Sequence, residues 1–219
     1  MIGSAILSVG LVGGRPVFMD ERNDSYFLLE EKSEAEFLDL IDCDGPLMDG
    51  AGASLRSALG ADEDMRVVFA QPPQASRTLL DQPEASRPRI GDALRIALLL
   101  RRARTAIATR PIGEILLELA RGNRSIERRP GDAEVVRQAA RFIAARRLVP
   151  GAPNCLADSL ALVQWLGRPQ GVLLIFGVKL DPFGAHCWAQ LGDLLLSDRT
   201  DTVAQFRPVR VVECTPATL

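Results

Sequence analysis

The chain has 219 residues, enough for one medium-sized domain or two small ones. Its content of 47% apolar and 25% charged residues is ordinary for a globular protein and excludes wholesale disorder. The net charge of −2 conceals two oppositely charged blocks. Residues 1–86 carry 16 acidic and 6 basic groups, whereas residues 87–147 carry 6 acidic groups and 15 arginines. The blocks indicate modules that attract one another, a basic middle facing an acidic partner, or simply solvated helix faces.

The four cysteines lie far apart in the sequence, which favours reduced thiols over a disulfide scaffold. The first four residues carry no basic segment of the kind that begins a signal peptide. The longest later apolar run, residues 96–100, is too short to span a bilayer. We therefore expect a cytoplasmic protein with no membrane partner.

The first part of the chain predicts a small sheet with helices. Runs of β-branched and aromatic residues separated by tight turns predict a three-stranded meander over residues 5–12, 15–20 and 25–29. Ser33 followed by Glu36 has the spacing of a capping box and predicts the start of a helix. A second helix is predicted over residues 53–59, and a short strand over residues 65–70.

Four prolines between residues 71 and 91 predict a linker, because Pro-rich polar segments resist packing into a core. Beyond it, amphipathic spacing predicts three helices: one capped by Asp92 over 93–104, one with Pro111 in its first turn over 112–121, and one capped by Asp132 over 133–147. A helix beginning at Cys155 and several strands follow. Helices first and antiparallel strands afterwards indicate an α+β fold. We expect a first module over 1–82, a linker over 83–91 and a second domain over 92–219.

Three residues of the second domain form a candidate catalytic set. His186 is the only histidine of the chain, so any imidazole chemistry must occur there. Cys155 is predicted in the first turn of its helix, where the helix N-terminus and an imidazolium would lower the pKa of the thiol. Asp198 is the candidate for orienting the imidazole. The backbone N–H of Cys155 is the expected oxyanion donor.

The hairpin around residues 186–198 decides whether this set exists. With a three-residue loop over 191–193, Asp198 pairs with His186 on one face of the sheet. With a two-residue turn at 192–193, the two side chains point to opposite faces. Gly192 tolerates the positive φ that the bulged three-residue loop requires. The catalytic hypothesis therefore depends on the register.

Plainer interpretations remain for each residue. Cys155 is also compatible with a core cysteine, His186 with a satisfied structural histidine, and Asp198 with a residue of a turn. Cys187 alternates to the face opposite His186 and is predicted to lie in the core. Cys155, His186 and Cys187 lack the paired spacing of zinc ligands, so we predict neither a metal nor another cofactor.

The sequences CLADSLAL at 155–162 and GVKLDPFGAHCW at 177–188 resemble the B2 part of lasso peptide biosynthesis B proteins. These are transglutaminase-like, papain-like cysteine proteases that remove the leader peptide from a ribosomally made precursor. The resemblance covers roughly residues 151–198 and implies a triad of Cys155, His186 and Asp198. Two positions depart from the family pattern: Asp158 stands where a basic residue is frequent, and Gln190 where Glu is frequent.

The sequence FMD at 18–20, followed by YFLL at 26–29 and a helix, is similar to the PqqD-like B1 module of the same proteins. Such winged-helix-like modules bind leader peptides by adding the leader as a strand to their sheet. The similarity implies that Tyr26, Phe27, Leu28 and Leu29 bind the peptide.

The resemblance also implies partners. It predicts a lasso precursor peptide, bound through its leader, and a separate asparagine-synthetase-like, ATP-dependent lasso cyclase. The acidic balance of residues 1–86 argues against a nucleic acid as partner. Two rival functions stay open: a transglutaminase-like acyl transferase, and a non-catalytic peptide-binding chaperone.

Overall fold

The structure is a computed structural model that describes residues 6–41, 51–60, 66–81, 88–121 and 131–214. In these ranges the protein has an α+β fold with two mixed sheets and seven α-helices. The N-terminal part comprises β1 (Ile6–Val12), β2 (Arg15–Asp20), β3 (Ser25–Leu28), α1 (Glu31–Ile41), α2 (Ala53–Ala58) and β4 (Arg66–Phe69). The remainder comprises β5 (Arg77–Thr78), a 3₁₀ turn (Leu79–Asp81), α3 (Ile90–Thr109), α4 (Ile112–Ala120), α5 (Asp132–Arg146), α6 (Cys155–Trp165), β6 (Val172–Leu180), β7 (Phe183–Leu191), β8 (Leu194–Leu195), α7 (Thr200–Val203) and β9 (Arg207–Glu213).

The N-terminal sheet has the strand order β3-β2-β1-β4. Strands β1, β2 and β3 form the predicted antiparallel meander. Gly13 and Gly14 both have positive φ, which permits the tight turn between β1 and β2. Strand β4 returns parallel to β1 after the helical segment, so this sheet is mixed.

The C-terminal sheet has the order β5-β8-β7-β6-β9. Its centre is the long antiparallel hairpin of β6 and β7. The pairings among β6, β7, β8 and β9, which lie in the predicted second domain, are antiparallel as expected. The short strand β5 adds a parallel pairing with β8, so the whole sheet is mixed. Residues 77–78, which belong to the predicted first module over 1–82, therefore lie in the C-terminal sheet. Residues 82–87 lie outside the described part of the chain, and the boundary over 83–91 stays a prediction.

Two predicted helix starts are wrong, by two residues for α1 and by three for α3. Helix α1 begins at Glu31, and Ser33 is a buried residue of its first turn. Helix α3 begins at Ile90 and continues to Thr109. Asp92 does not cap this helix, because both of its carboxylate oxygens accept hydrogen bonds from Arg141, at 2.8 and 2.9 Å.

The N-terminal sheet is covered on both faces. From β2, Phe18 packs with Phe37 and Leu55 of the helices, while Val17 and Met19 alternate to the other face and join the core of the C-terminal part. On that side β1 approaches β9 so closely that a Cβ on Gly10 would lie 2.1 Å from the carbonyl oxygen of Pro208.

One ion pair accompanies this contact. Arg210 Nε lies 2.7 Å from Glu21 Oε1, and the two side chains are only 12% and 9% exposed. Burial raises the pKa of Glu21 even though the neighbouring guanidinium of Arg210 opposes the shift. The N-terminal sheet thus contacts the C-terminal sheet through both apolar packing and a buried ion pair.

Candidate active site

Cys155 is the first residue of α6, and the residues around it fix this helix start. Asn154 is the N-cap, and its side-chain oxygen accepts a hydrogen bond from the N–H of Ala157 at 2.9 Å. The carboxylate of Asp158 accepts from the N–H of Asn154 at 2.9 Å. The helix N-terminus therefore supplies its partial positive charge next to the thiol.

Helix α6 is tied to the strand that carries His186. The hydroxyl of Ser159, one turn after Cys155, donates to the carbonyl of Cys187 at 3.2 Å, and Ser159 is fully buried. Cys187 is 2% exposed, which confirms its predicted place in the core. This bond and the packing around it set the separation of the cysteine and the histidine.

His186 and Asp198 are brought into direct contact. His186 Nε2 lies 2.8 Å from Asp198 Oδ2, and the two side chains are 16% and 19% exposed. This contact leaves Nδ1 as the ring nitrogen available to the Cys155 thiol. The imidazole also packs against Phe206 and Trp188, with ring centroids 5.1 and 6.0 Å away.

The β7–β8 hairpin does not have the register that a contact between His186 and Asp198 was expected to require. Leu191 pairs with Leu194, so the turn has two residues, Gly192 and Asp193, and of the two registers considered the three-residue loop does not form. Gly192 has a φ of +57°, the sign that the first central residue of a type II′ turn requires. Strict alternation in this register would place His186 and Asp198 on opposite faces.

The contact forms because the chain leaves the ladder before Asp198. The N–H of Leu196 still donates to the carbonyl of Ala189 at 2.9 Å. The N–H of Ala189, however, donates to the hydroxyl oxygen of Ser197 at 3.3 Å instead of to a strand carbonyl. Since the strand has ended, Asp198 is no longer bound by the two-residue alternation and turns towards His186.

A distant residue fixes the backbone of Asp198. The hydroxyl of Thr78, in β5, donates to the carbonyl of Asp198 at 2.5 Å. The same hydroxyl oxygen accepts from the N–H of Leu80 at 3.1 Å. Sequence reasoning missed Thr78, since nothing local marks a residue 120 positions upstream. Asn154 and Ser197 were missed as well, although an Asn directly before a helix is a recognisable capping signal.

The geometry shifts the pKa values of the pair towards charge separation. The hydrogen bond from His186 lowers the pKa of the Cys155 thiol, and the backbone N–H groups of Cys187 and Leu156 add to this against the effect of burial. The hydrogen bond with Asp198, then that with Cys155, raises the pKa of His186 to about 9. Both shifts make proton transfer from the Cys155 thiol to the His186 imidazole more favourable.

A cavity of about 460 Å³ opens at these side chains. Its apolar wall is formed by Leu80, Phe142 and Ile143. Its charged rim contains Asp158, which binds Arg146 at 2.5 Å. The charge of Asp158 is thus neutralised by Arg146 of α5, and the same carboxylate stabilises the start of α6.

Gln190 is buried, and its side-chain amide donates hydrogen bonds. Its amide nitrogen donates to the carbonyls of Pro73 at 2.7 Å and Gly192 at 2.6 Å. Its amide oxygen accepts from the indole N–H of Trp188 at 3.2 Å. A glutamate here could accept from Trp188 but could not donate to the two carbonyls. Gln190 therefore connects the segment before β5 to the strand of His186.

The four residues predicted to bind peptide do not share one environment. Phe27 stacks on Phe18 with ring centroids 5.2 Å apart, and Leu29 is buried. Leu28 is 39% exposed, and Tyr26 contacts Phe183 at 6.1 Å between centroids. Strand β3 lies at the outer edge of its sheet. Their binding role stays a prediction.

The described ranges were compared with the requirements of a metal site and of a membrane span. Over the described ranges, no group of three or more His, Cys, Asp or Glu side chains is placed to hold a metal ion. The helices in those ranges also include none long and apolar enough to cross a membrane.

The family assignment follows from comparison with known sequences. The family model described as the Transglutaminase-like superfamily matches residues 97–211, slightly more than half of the chain. The chain belongs to the transglutaminase-like superfamily. The matched part contains Cys155, His186 and Asp198, and it confirms the predicted transglutaminase-like character of the C-terminal part. No curated protein and no solved structure matches the chain.

Proposed function

We propose that this protein is a cysteine peptidase that removes the leader from a ribosomally made precursor of the lasso peptide type. The observation that carries the proposal is the 2.8 Å contact between His186 Nε2 and Asp198 Oδ2, beside a Cys155 thiol at a helix N-terminus. A thiolate nucleophile, an imidazole acid–base and an orienting carboxylate are the parts that thiol acyl chemistry requires.

Each residue has a role in the proposed reaction. The Cys155 thiolate attacks the carbonyl carbon of the last leader residue, and the N–H groups at the start of α6 face the oxyanion that develops. The His186 imidazolium gives its proton to the departing amine of the core peptide, leaving a thioester between the leader and Cys155. His186 then takes a proton from water, which attacks the thioester and releases the leader acid. Asp198 keeps the ring oriented through both steps.

The N-terminal part is proposed to be a winged-helix-like, PqqD-like leader-recognition module. Strand β3 lies at the edge of its sheet, and Leu28 on it is 39% exposed, so an extended peptide can pair with that edge. Holding the leader on the same chain as Cys155 raises the local concentration of the scissile bond. The released core would then pass to a separate ATP-dependent, asparagine-synthetase-like cyclase.

Mass spectrometry of candidate precursor peptides, taken from genes beside the one for this chain, tests the proposal. The wild type is expected to cut one such precursor at a single bond, and Cys155→Ala is expected to cut none. Cys214→Ala is the matched control. Cys214 is a buried free cysteine that directly follows β9, and it does not belong to the candidate active site. Equal cleavage by the wild type and Cys155→Ala would contradict the proposal.

Two further outcomes identify the rival functions. If added glycine methyl ester is incorporated into the leader in place of water, with little free acid formed, the protein is an acyl transferase. If the precursor binds and neither the wild type nor Cys155→Ala cleaves it, the protein is a peptide-binding chaperone. Both outcomes would overturn the peptidase proposal.

A further inference from the structure

The cavity at the proposed catalytic residues has an apolar wall that takes no part in the proposed reaction steps. The wall and the proposed catalytic residues line one space, and they are Leu80, Phe142, Ile143, Cys155, His186 and Asp198. The volume of about 460 Å³ lies within the range of ligand pockets. A peptide whose carbonyl carbon is bonded to the Cys155 thiol has its nearest side chains in or beside this cavity. The chemistry of the wall therefore bears on which side chains the site accepts.

Leu80 is an apolar side chain that lines the cavity without belonging to a core. It is half-buried, and none of the apolar clusters that the described residues form includes it. Its neighbour Leu79, in contrast, is buried in the core of the C-terminal part. The N–H of Leu80 donates to the hydroxyl oxygen of Thr78, whose hydroxyl donates to the carbonyl of Asp198. The place of Leu80 in the cavity is thus fixed by the same hydrogen bonds that hold Asp198.

Most of the charges that line the cavity are paired with one another. Arg146 binds Asp158 at 2.5 Å, and His186 binds Asp198 at 2.8 Å. A charged substrate side chain against the apolar wall would lose hydration without gaining a partner there. Arg147 lines the cavity as well, so recognition of an acidic side chain is the alternative that a test has to distinguish.

We propose that Leu80, with Phe142 and Ile143, forms a subsite for one apolar side chain on the acyl side of the scissile bond. Leu80 is the specificity-determining residue of this subsite. The acyl side is concerned because that part of the substrate stays bonded to Cys155 in the thioester. The proposal rests on the peptidase function proposed above and adds the class of substrate side chain. Since Leu80 lies outside residues 97–211, the segment before α3 completes the substrate site of the transglutaminase-like part.

The test labels Cys155 of the full chain with two series of acetylated tripeptide vinyl sulfones. The probes consist of alanine except at the last position in one series and at the last but one in the other. The varied position carries leucine, alanine, lysine or aspartate. Peptide mapping by mass spectrometry counts only labelling of Cys155, so that other cysteines do not contribute. Every probe carries the same electrophile, so the ratio of two labelling rates does not depend on the reactivity of the thiol itself.

In one of the two series we expect the leucine probe to label the wild type about tenfold faster than the lysine and aspartate probes. Leu80→Ala should reduce this preference about three- to tenfold. Leu80→Asp should shift the ratio of the leucine to the lysine rate about tenfold or more towards lysine, because the new carboxylate attracts the ammonium group. Leu94→Asp on α3 is the control, since Leu94 is 69% exposed and does not line the cavity. Thermal melting identifies any loss of folding in Leu80→Asp, and the milder Leu80→Ala keeps the test decisive in that case.

Three results would overturn the subsite. The first is the absence of a preference for leucine in both series, and the second is a leucine preference that Leu80→Ala leaves unchanged. The third is fastest labelling by an aspartate probe, which would assign recognition to Arg147. Failure of the peptidase proposal gives a different result, in the variant His186→Ala. If every probe labels this variant and the wild type at equal rates, the imidazole does not activate the thiol and both proposals fail.

Discussion

Strands β7 and β3 carry the two sets of residues for which catalytic and binding roles are proposed, and their surroundings differ. Strand β7 is paired on both sides, by β6 and β8, and its His186 is held by Asp198, Phe206 and Trp188. Strand β3 is paired on one side only, by β2, and has no second partner strand in the described part of the chain. The comparison teaches that the side chain of His186, the proposed acid–base group, is held from several directions, while the proposed recognition strand keeps an open edge in the described part of the chain.

The largest effect is expected from Asp198→Asn, which removes the charge and keeps the shape. Cleavage of the precursor should fall about 10²–10⁴-fold, because an amide stabilises neither the imidazolium nor the required tautomer. The kcat of the purified variant measures this effect. Asp201→Asn, at a position 70% exposed, is the control and should keep wild-type activity. A loss below tenfold for Asp198→Asn would show that another group orients His186.

Breaking the ion pair between the two sheets should be the next largest effect. Arg210→Met leaves the Glu21 carboxylate buried without its cation, which costs about 3–5 kcal/mol of the free energy of unfolding. Urea unfolding followed by circular dichroism measures the loss. The double variant Glu21→Met with Arg210→Met should recover most of the lost free energy of unfolding. If it recovers none, the loss does not come from the unpaired Glu21 carboxylate.

Gly10→Ala probes the close approach of β1 to β9. The added methyl group meets the carbonyl oxygen of Pro208 at 2.1 Å, so the strands must separate, at a cost of about 1–3 kcal/mol. The shift of the midpoint of urea unfolding measures this loss of stability. Gly91→Ala is the matched control, because a Cβ there meets nothing within 4 Å. Equal stabilities of the two variants would mean that the sheets adjust freely.

The pH profile of cleavage follows from the two shifted pKa values. The pKa of His186 is raised to about 9, so activity should fall about tenfold per pH unit above pH 9, where the general acid loses its proton. On the acid side activity should fall as the Cys155 thiolate is protonated, below the ordinary pKa of a thiol. In Asp198→Asn the alkaline fall should begin at lower pH, because the carboxylate is the largest cause of the raised value. If the alkaline fall in activity begins at the same pH in Asp198→Asn as in the wild type, it reflects the titration of a group other than His186.

The raised pKa of His186 also links stability to pH. The protonated ring stabilises the folded state, so this contribution is complete below pH 6.5 and is lost as the pH rises through about 9. In Asp198→Asn the free energy of unfolding should depend less on pH over that range. Urea unfolding at pH 6 and pH 9.5 gives the comparison with the wild type.

The smallest effect is expected from Leu28→Glu, which places a charge on the open strand. Binding of the precursor, measured by fluorescence anisotropy of a labelled leader, should weaken about two- to fivefold, the scale of one cross-strand pair. Iodoacetamide labelling of Cys155 should not change, because Leu28 is not among the residues that contact the triad. Unaltered leader binding would place the recognition surface elsewhere.

Much of the fold could be predicted from local patterns. The meander of β1 to β3 and the helices α4, α5 and α6 lie where turn residues, prolines and apolar spacing place them. The start of α3 could not be predicted, since Asp92 binds Arg141, a residue 49 positions away, instead of its own helix. The two charge blocks did not predict the contact between the sheets. The pair that lies there joins Glu21 to Arg210, an arginine outside the basic block.

The sequence by itself determined the chemical inventory of the candidate site. One histidine, one cysteine at a predicted helix start and one aspartate at a strand end made thiol catalysis a hypothesis, because a nucleophile, an acid–base group and an orienting carboxylate are the groups that it needs. Only the tertiary structure decided that His186 and Asp198 meet. The hairpin register alone would separate them, and the contact exists because Ser197 ends the ladder and Thr78 holds the backbone of Asp198. Such hydrogen bonds join segments that no local pattern relates, which is why the sequence could name the residues of the site but not their geometry.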